Sequence, residues 1–137
     1  MTEWDMVLDC KSMFEQSGHY SKIQCEVPFL SRCIDMVLLD KKNRVITIEF
    51  KLKDWRHAIE QAYDHMRGAD YAYICIPMTH PSKLLISELN KYGIGLLLYH
   101  SSCTGEEKVT VYRKADKSSR KVPVLQTDII RNVHLCK

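Results

Sequence analysis

No apolar run in the 137 residues approaches the roughly 20 needed to cross a bilayer, so a membrane-spanning helix is not expected. The opening MTEWDMVLDC has neither a basic start nor a long apolar stretch, and no secretory leader is expected from it. No two of the six cysteines (Cys10, Cys25, Cys33, Cys75, Cys103 and Cys136) stand in a Cys-x-x-Cys spacing, and the six histidines supply no paired ligand spacing. A structural zinc site is therefore not expected. Without an oxidising destination the cysteines read as reduced, most of them as small core residues of a cytoplasmic protein. Low-complexity segments, repeats and interdomain linkers are also missing. The formal charge of +3 is too small for a protein that binds nucleic acid by charge alone, though it permits such a partner. What remains is one domain, residues 1–137, with apolar content for a single modest core.

The order of elements is legible. Thr2 caps a helix reaching Ser17, with Glu3 and Asp5 at its positive end and Gly18 closing it. Trp4, Val7, Leu8 and Phe14 form its apolar side. An extended stretch, His19 to Val27, breaks at Pro28. Cys33–Leu39 and Arg44–Leu52 read as strands joined by the polar turn Asp40-Lys41-Lys42-Asn43, hence a hairpin. Asp54 caps a second helix with Trp55, Ala58, Ile59, Ala62 and Met66 at helical spacing, closed by Gly68. Tyr71–Ile76 is a short buried strand, Pro81 starts a third helix reaching Lys91, and Gly93–Tyr99 is a strand apolar on both faces. Lys108–Tyr112 adds an edge strand and Thr127–Leu135 a closing helix. The expected fold is α/β, a three-layer-like sandwich with a central mixed sheet flanked by helices.

The chemistry concentrates in the hairpin. A register that sets Leu39 opposite Val45 also sets Asp35 opposite Glu49 and Cys33 opposite Lys51. Asp35, Glu49 and Lys51 then project from one side, and Ile46, Ile48, Phe50 and Leu52 form an apolar row on the other. A one-residue slip would break the arrangement. Two neighbouring carboxylates repel, and a divalent cation between them relieves the repulsion. Magnesium suits such a site, because it takes a couple of carboxylates and leaves positions for water and a phosphate oxygen. The Phe50 carbonyl, between the two side chains, offers a further ligand, and Lys51 is placed to orient or deprotonate an attacking water. The plainer reading has equal weight on these residues alone: Glu49 and Lys51 solvated on a half-exposed sheet.

Ile34-Asp35 followed by Glu49-Phe50-Lys51, with the hairpin between and Gln61 on the next helix, resembles the PD-(D/E)XK nuclease superfamily, the restriction-endonuclease-like fold. The stretch EVPFLSRCIDMVLLD…ITIEFKLKDWRHAIEQA is similar to compact prokaryotic members. The resemblance implies Asp35 and Glu49 as ligands of Mg2+ (or Mn2+), Lys51 as the catalytic lysine, and hydrolysis of phosphodiester bonds in nucleic acid, DNA foremost. The sequence leaves the oligomeric state open, with a homodimer natural for two cuts on two strands and a larger nuclease assembly the other candidate. Ile34 stands where the family often has proline. The first helix presents no single acid to match the one some members carry there: Glu3 lies toward the apolar side, Asp5 and Asp9 away from it, Glu15 near the end. The alternative function is a catalytically inactive nuclease-like module that binds nucleic acid or a protein partner.

Further candidates surround this set. If Val27 pairs with Arg32 across the Pro28 corner, Glu26 joins the Asp35 face as an extra acid; the shifted register makes it an edge-strand surface charge. Arg32 pairs with Glu26 or a phosphate, or is a rim charge. Gln61 either reaches into the site, as glutamine does on the equivalent helix of some nucleases, or makes a half-buried helix contact. Trp55 reads as core. Lys53, Arg56, His57 and Arg67 surround the second helix and could steer a nucleic-acid backbone, or form an ordinary solvated face. Arg113, Lys114, Lys117, Arg120 and Lys121 read as a flexible basic loop.

Overall fold

Thr2 starts the first helix by a reciprocal cap. Its hydroxyl accepts from the Asp5 N–H (3.1 Å) while the Asp5 carboxylate accepts from the Thr2 N–H (2.8 Å), so two donors that a helix end leaves bare are satisfied. In the computed structural model, which describes residues 1–136, helix α1 runs Glu3–Ser17 and ends at Gly18 with φ +71°. Its buried side is Met6, Val7, Cys10 and Phe14, one narrow arc at 3.6 residues per turn. Trp4 and Leu8 lie outside that arc and are 46% and 45% exposed, contrary to the expected stripe.

Strands β1 (Tyr20–Phe29), β2 (Arg32–Asp40) and β3 (Val45–Phe50) follow as an antiparallel meander, then α2 (Trp55–His65), β4 (Tyr71–Ile76), α3 (Lys83–Tyr92), β5 (Gly95–Tyr99), β6 (Val109–Arg113) and α4 (Pro123–Leu135). The six strands form one sheet in chain order, with β3, β4 and β5 parallel and the other neighbours antiparallel. Helix α1 covers one face through Met36, Leu38, Ile48, Phe50, Cys75 and Leu97. On the other, α2 and α3 cover Ile74, Ile76, Leu96 and Leu98, and α4 covers Val27, Ile34, Val37, Leu39 and Val45. This is a three-layer α/β sandwich with a mixed central sheet, the architecture expected from the sequence. The row from Ile46 to Leu52 lies under α1, with Ile48 and Phe50 fully buried. No helix is long and apolar enough to cross a membrane.

Several boundaries differ from expectation for definable reasons. β1 does not break at Pro28, because as an edge strand it needs no outward N–H there, and Pro28 pairs with Cys33. The β1–β2 turn is only Leu30 and Ser31, so Val27 pairs with Ile34 and not with Arg32. The hairpin also rotates: Cys25 and Met36 face α1, whereas Val27 and Ile34 lie against α4, and Glu26 between them takes φ +52°. Helix α4 begins four residues earlier than expected, with Pro123 at a first-turn position that needs no N–H donor.

The basic segment after β6 is not a flexible loop. Asp70, 3% exposed, accepts from the Val45 N–H (2.8 Å), the Lys121 ammonium (2.7 Å) and the Gln126 amide (2.9 Å), and its carbonyl accepts from the Ser118 N–H (2.8 Å). Arg120 stacks 3.7 Å above the Tyr63 ring, and Arg113 donates to Asn90 (2.6 Å). Burial alone would raise the Asp70 carboxyl, but the donors from Lys121, Val45 and Gln126 outweigh it and hold the group below its ordinary 3.8. The stabilisation is therefore present above pH 3.8 and lost as pH falls through the folded-state value. Asp70→Asn should lower stability at pH 7 by about 1–3 kcal/mol, the cost of a weakened set of charge-assisted hydrogen bonds. Denaturant titrations should show that gap closing as the pH is lowered below the folded-state value.

Candidate active site

The site forms where β2 and β3 part. The ladder holds from Leu39–Val45 to Met36–Ile48, the register inferred from the hairpin. Beyond it, side chains replace backbone partners. The Asp35 N–H donates to Glu49 Oε1 (3.2 Å), and the Phe50 N–H donates to Asp35 Oδ2 (2.9 Å). The two carboxylates thus lie across one gap in the sheet, each anchored to the other strand. Successive residues of a strand address opposite neighbours, and the Lys51 N–H goes to the Cys75 carbonyl on β4 (3.2 Å). Phe50 accordingly addresses β2, so its carbonyl opens toward the Asp35 side of the gap.

Burial sets the electrostatics. Glu49 is 1% exposed, and burial first and the Asp35 charge second push its carboxyl up to about 9. Burial also raises Asp35, against the lowering effects of the Phe50 N–H, Glu49 and Lys51, while the Glu3 charge adds to the rise. Near neutral pH the pair retains a proton. Replacing that proton by a divalent cation would supply the missing positive charge. Among the described residues no three His, Cys, Asp or Glu side chains gather as a metal cluster. Two carboxylates and a carbonyl still fit magnesium, which is usually held by one or two carboxylates with its remaining positions left to water and phosphate.

Of the residues singled out from the sequence, Asp35, Glu49 and Phe50 meet at the gap, and Lys51 follows directly, half-buried and acting on both carboxyls through its charge. The Val27–Arg32 pairing does not form; Glu26 falls between the Cys25–Met36 and Val27–Ile34 pairs, at the level of Asp35 on the edge strand, where it is exposed with φ +52°. Gln61 lies on α2 with Oε1 buried and without a hydrogen-bond partner. Lys53, Arg56 and His57 are exposed at the start of α2, and Trp55 packs partly buried against the core.

Two further residues adjoin the site, one weighed from the sequence without being chosen and one not singled out. Glu3, in the first turn of α1, accepts from the Leu52 N–H (3.4 Å) and acts on Asp35, so it is the acid of the first helix that adjoins the site. Its position three residues before Met6 and four before Val7, which puts it on the buried side of the helix, was the available signal. His65 was not singled out from the sequence, though it stands on the apolar side of α2, seven residues after Ala58. It is 4% exposed, its Nδ1 stands 3.6 Å from Glu49 Oε1, and that nitrogen has no hydrogen-bond partner. Burial, with help from Arg32 and Arg67 and against Asp64, lowers the imidazole to about 4, leaving it neutral.

No protein-family model and no curated protein matches the sequence. Among solved structures, a protein of unknown function from Silicibacter pomeroyi is similar over 98% of this chain and 86% of its own, with TM-score 0.69 and 16% identity. That likeness is one of fold. A repair endonuclease from Pyrococcus abyssi aligns at TM-score 0.49 and 18% identity over 68% of this chain and 43% of its own. SfsA from Pyrococcus furiosus, in complex with Ca2+, aligns at TM-score 0.43 and 16% identity over 80% and 60%. These two are weaker alignments, and the shared fold rests on the first.

The carboxyl pair has a measurable signature. Because the folded Glu49 keeps its proton up to about 9 while an unfolded glutamate loses it near 4.5, the folded form binds more protons over that range and loses relative stability as pH rises. With chelator present, the thermal midpoint of Glu49→Gln should gain on the wild type as pH is raised from 5 to 8. The gain should be no more than about 1.4 kcal/mol per pH unit. Parallel pH curves for the two proteins would show that Glu49 titrates normally.

Proposed function

We propose that the protein is a magnesium-dependent nuclease that hydrolyses phosphodiester bonds in nucleic acid, DNA foremost, at the gap between β2 and β3. The observation that carries this reading is the pairing of Asp35 with a fully buried Glu49 across opened strands, with Lys51 next in the chain. A buried acidic pair is costly to a fold, and here it lies where β2 and β3 part. The resemblance of Ile34-Asp35 and Glu49-Phe50-Lys51 to the PD-(D/E)XK superfamily supports the same reading.

In this reading Asp35, Glu49 and the Phe50 carbonyl hold Mg2+ or Mn2+, with Glu3 within reach of the site's water. The bound ion supplies a Lewis acid that acidifies water and neutralises charge developing on the phosphate. Lys51 orients the attacking water and adds positive charge as the new P–O bond forms and the ester P–O bond breaks. The Phe50 N–H fixes the Asp35 carboxylate and the Asp35 N–H fixes Glu49, so neither carboxylate must reorganise when substrate arrives.

Incubation with plasmid, linear and branched DNA in magnesium or manganese should give cleavage that chelator abolishes. Asp35→Ala, Glu49→Ala and Lys51→Ala should each lose activity by at least about a hundredfold, in line with removal of a metal ligand or a transition-state charge. Circular dichroism should show each variant folded. Calorimetry with Mn2+ at pH 7 should report proton release, seen as a heat that depends on the buffer's ionisation enthalpy, because the cation displaces the proton held by the carboxyl pair. Absence of both cleavage and Mn2+ binding in the wild type would leave a nuclease-like module that binds without cutting.

A further inference from the structure

Behind the carboxyl pair lies a second, separate pocket of about 210 Å3 between the β1–β2 turn and the last two turns of α2. Phe29, Leu30, Ser31 and Arg32 line it from the turn; Gln61, Asp64, His65 and Arg67 line it from the helix and the residues just after it. Three features mark it as a built site. His65 forms part of its wall while almost wholly buried, with an unpartnered ring nitrogen, and the Gln61 Oε1 is likewise buried and unpartnered. Buried polar groups without partners are rare and costly; the unpartnered His65 nitrogen is the one that faces Glu49, so on the pocket side it is the Gln61 side-chain amide that is left to bond to an occupant. The guanidiniums of Arg32 and Arg67 both act on His65 through their charge, which places two cations around one neutral imidazole. Asp64 offsets one of them, 3.4 Å from Arg67, but its side chain is 54% exposed and the pair is therefore a weak one. The turn itself is held at Leu30 with φ +56°, a conformation a leucine adopts only under constraint.

We propose that this pocket is an anchoring subsite for a phosphate group of the nucleic-acid strand, held by Arg32 and Arg67, with the Ser31 hydroxyl and the N–H groups of the Gln61 amide as neutral donors and the His65 ring as part of the wall. The inference rests on the nuclease reading for the identity of the ligand. The pocket's chemistry, two guanidiniums and neutral donors around a concave space, selects phosphate on its own account. His65 stands between the two compartments, its Nδ1 toward Glu49 and its ring on the pocket wall. A phosphate bound there lies one side chain away from the carboxyl gap. A strand anchored by one phosphate would therefore present a neighbouring phosphodiester to Asp35 and Glu49.

The full-length protein, in chelator, is titrated with inorganic phosphate at constant ionic strength and followed by nitrogen-15 NMR of the arginine and histidine side chains. Saturable shifts should appear at Arg32, Arg67 and His65, and the Arg32→Ala/Arg67→Ala double variant should lose them while its dispersed spectrum shows an intact fold. That variant should bind a single-stranded oligonucleotide at least about tenfold more weakly, about 1.4 kcal/mol, yet keep the wild-type affinity for Mn2+ in calorimetry. Equal loss for 5′-phosphorylated and 5′-hydroxyl oligonucleotides assigns the pocket to a backbone phosphodiester; loss confined to the phosphorylated one assigns it to a strand end. Shifts that are non-saturable and spread equally over the exposed lysines and arginines would overturn the proposal. So would a double variant that binds both oligonucleotides as the wild type does. Phosphate binding that survives in a protein showing no cleavage and no Mn2+ binding would remove the nuclease reading and leave the subsite standing.

Discussion

The carboxyl group of Glu49 is the constraint around which the surrounding strands and helices are arranged. An acid only 1% exposed costs several kcal/mol if ionised and unpaired, so the fold must hold it neutral or surround it with donors and cations. Each neighbouring feature answers that demand. The β2–β3 ladder gives up its last rungs so that the Asp35 N–H can reach Glu49 and the Phe50 N–H can reach Asp35. Lys51 adds a charge at the strand end, and His65 contributes a neutral ring beside the carboxyl. The apolar row beneath α1 supplies the rigidity: Ile48 and Phe50 are immobilised in the core, and Glu49 between them has little freedom to swing away.

Much of this was legible in the sequence because the hairpin carries redundant information. Alternation in Val45–Phe50 fixed which side was dry, the polar turn at Asp40–Asn43 fixed the register, and together they placed Asp35 beside Glu49. The expected Val27–Arg32 pairing next to Glu26 does not form, for a physical reason that alternation cannot express. The β1–β2 hairpin rotates at a positive-φ residue, and a period of two no longer predicts facing across it. His65 failed because helical periodicity reports burial and not chemistry, so a histidine in an apolar stripe is indistinguishable from a core position until its neighbours are known. The basic run from Arg113 to Lys121 misled in the opposite direction. Its partners, Asn90, Asp70 and Tyr63, are distant in sequence, and a local charge cluster gives no hint of them.

The two helical layers divide their labour. Helix α1 closes the apolar face and brings Glu3 to the margin of the gap, whereas α2 supplies polar groups, Gln61 and His65, from behind the sheet. The site is thereby assembled from the first helix, the central hairpin and the second helix, all within the first half of the chain. The second half is mostly support: β4 and β5 extend the parallel sheet, and α4 covers the hairpin from the side opposite α1.

That division has a temporal side. Asp70 is buried at the start of β4, yet two of its three side-chain partnerships come from residues 51 and 56 positions later. A chain emerging from its N-terminus can pair all six strands before Lys121 and Gln126 exist to meet that carboxylate. Until they arrive, the Asp70 carboxylate has the Val45 N–H as its one partner of the three and depends on water for the rest. Docking of the last helix therefore brings Gln126 to that carboxylate in the same step that buries Ile129 and Val133.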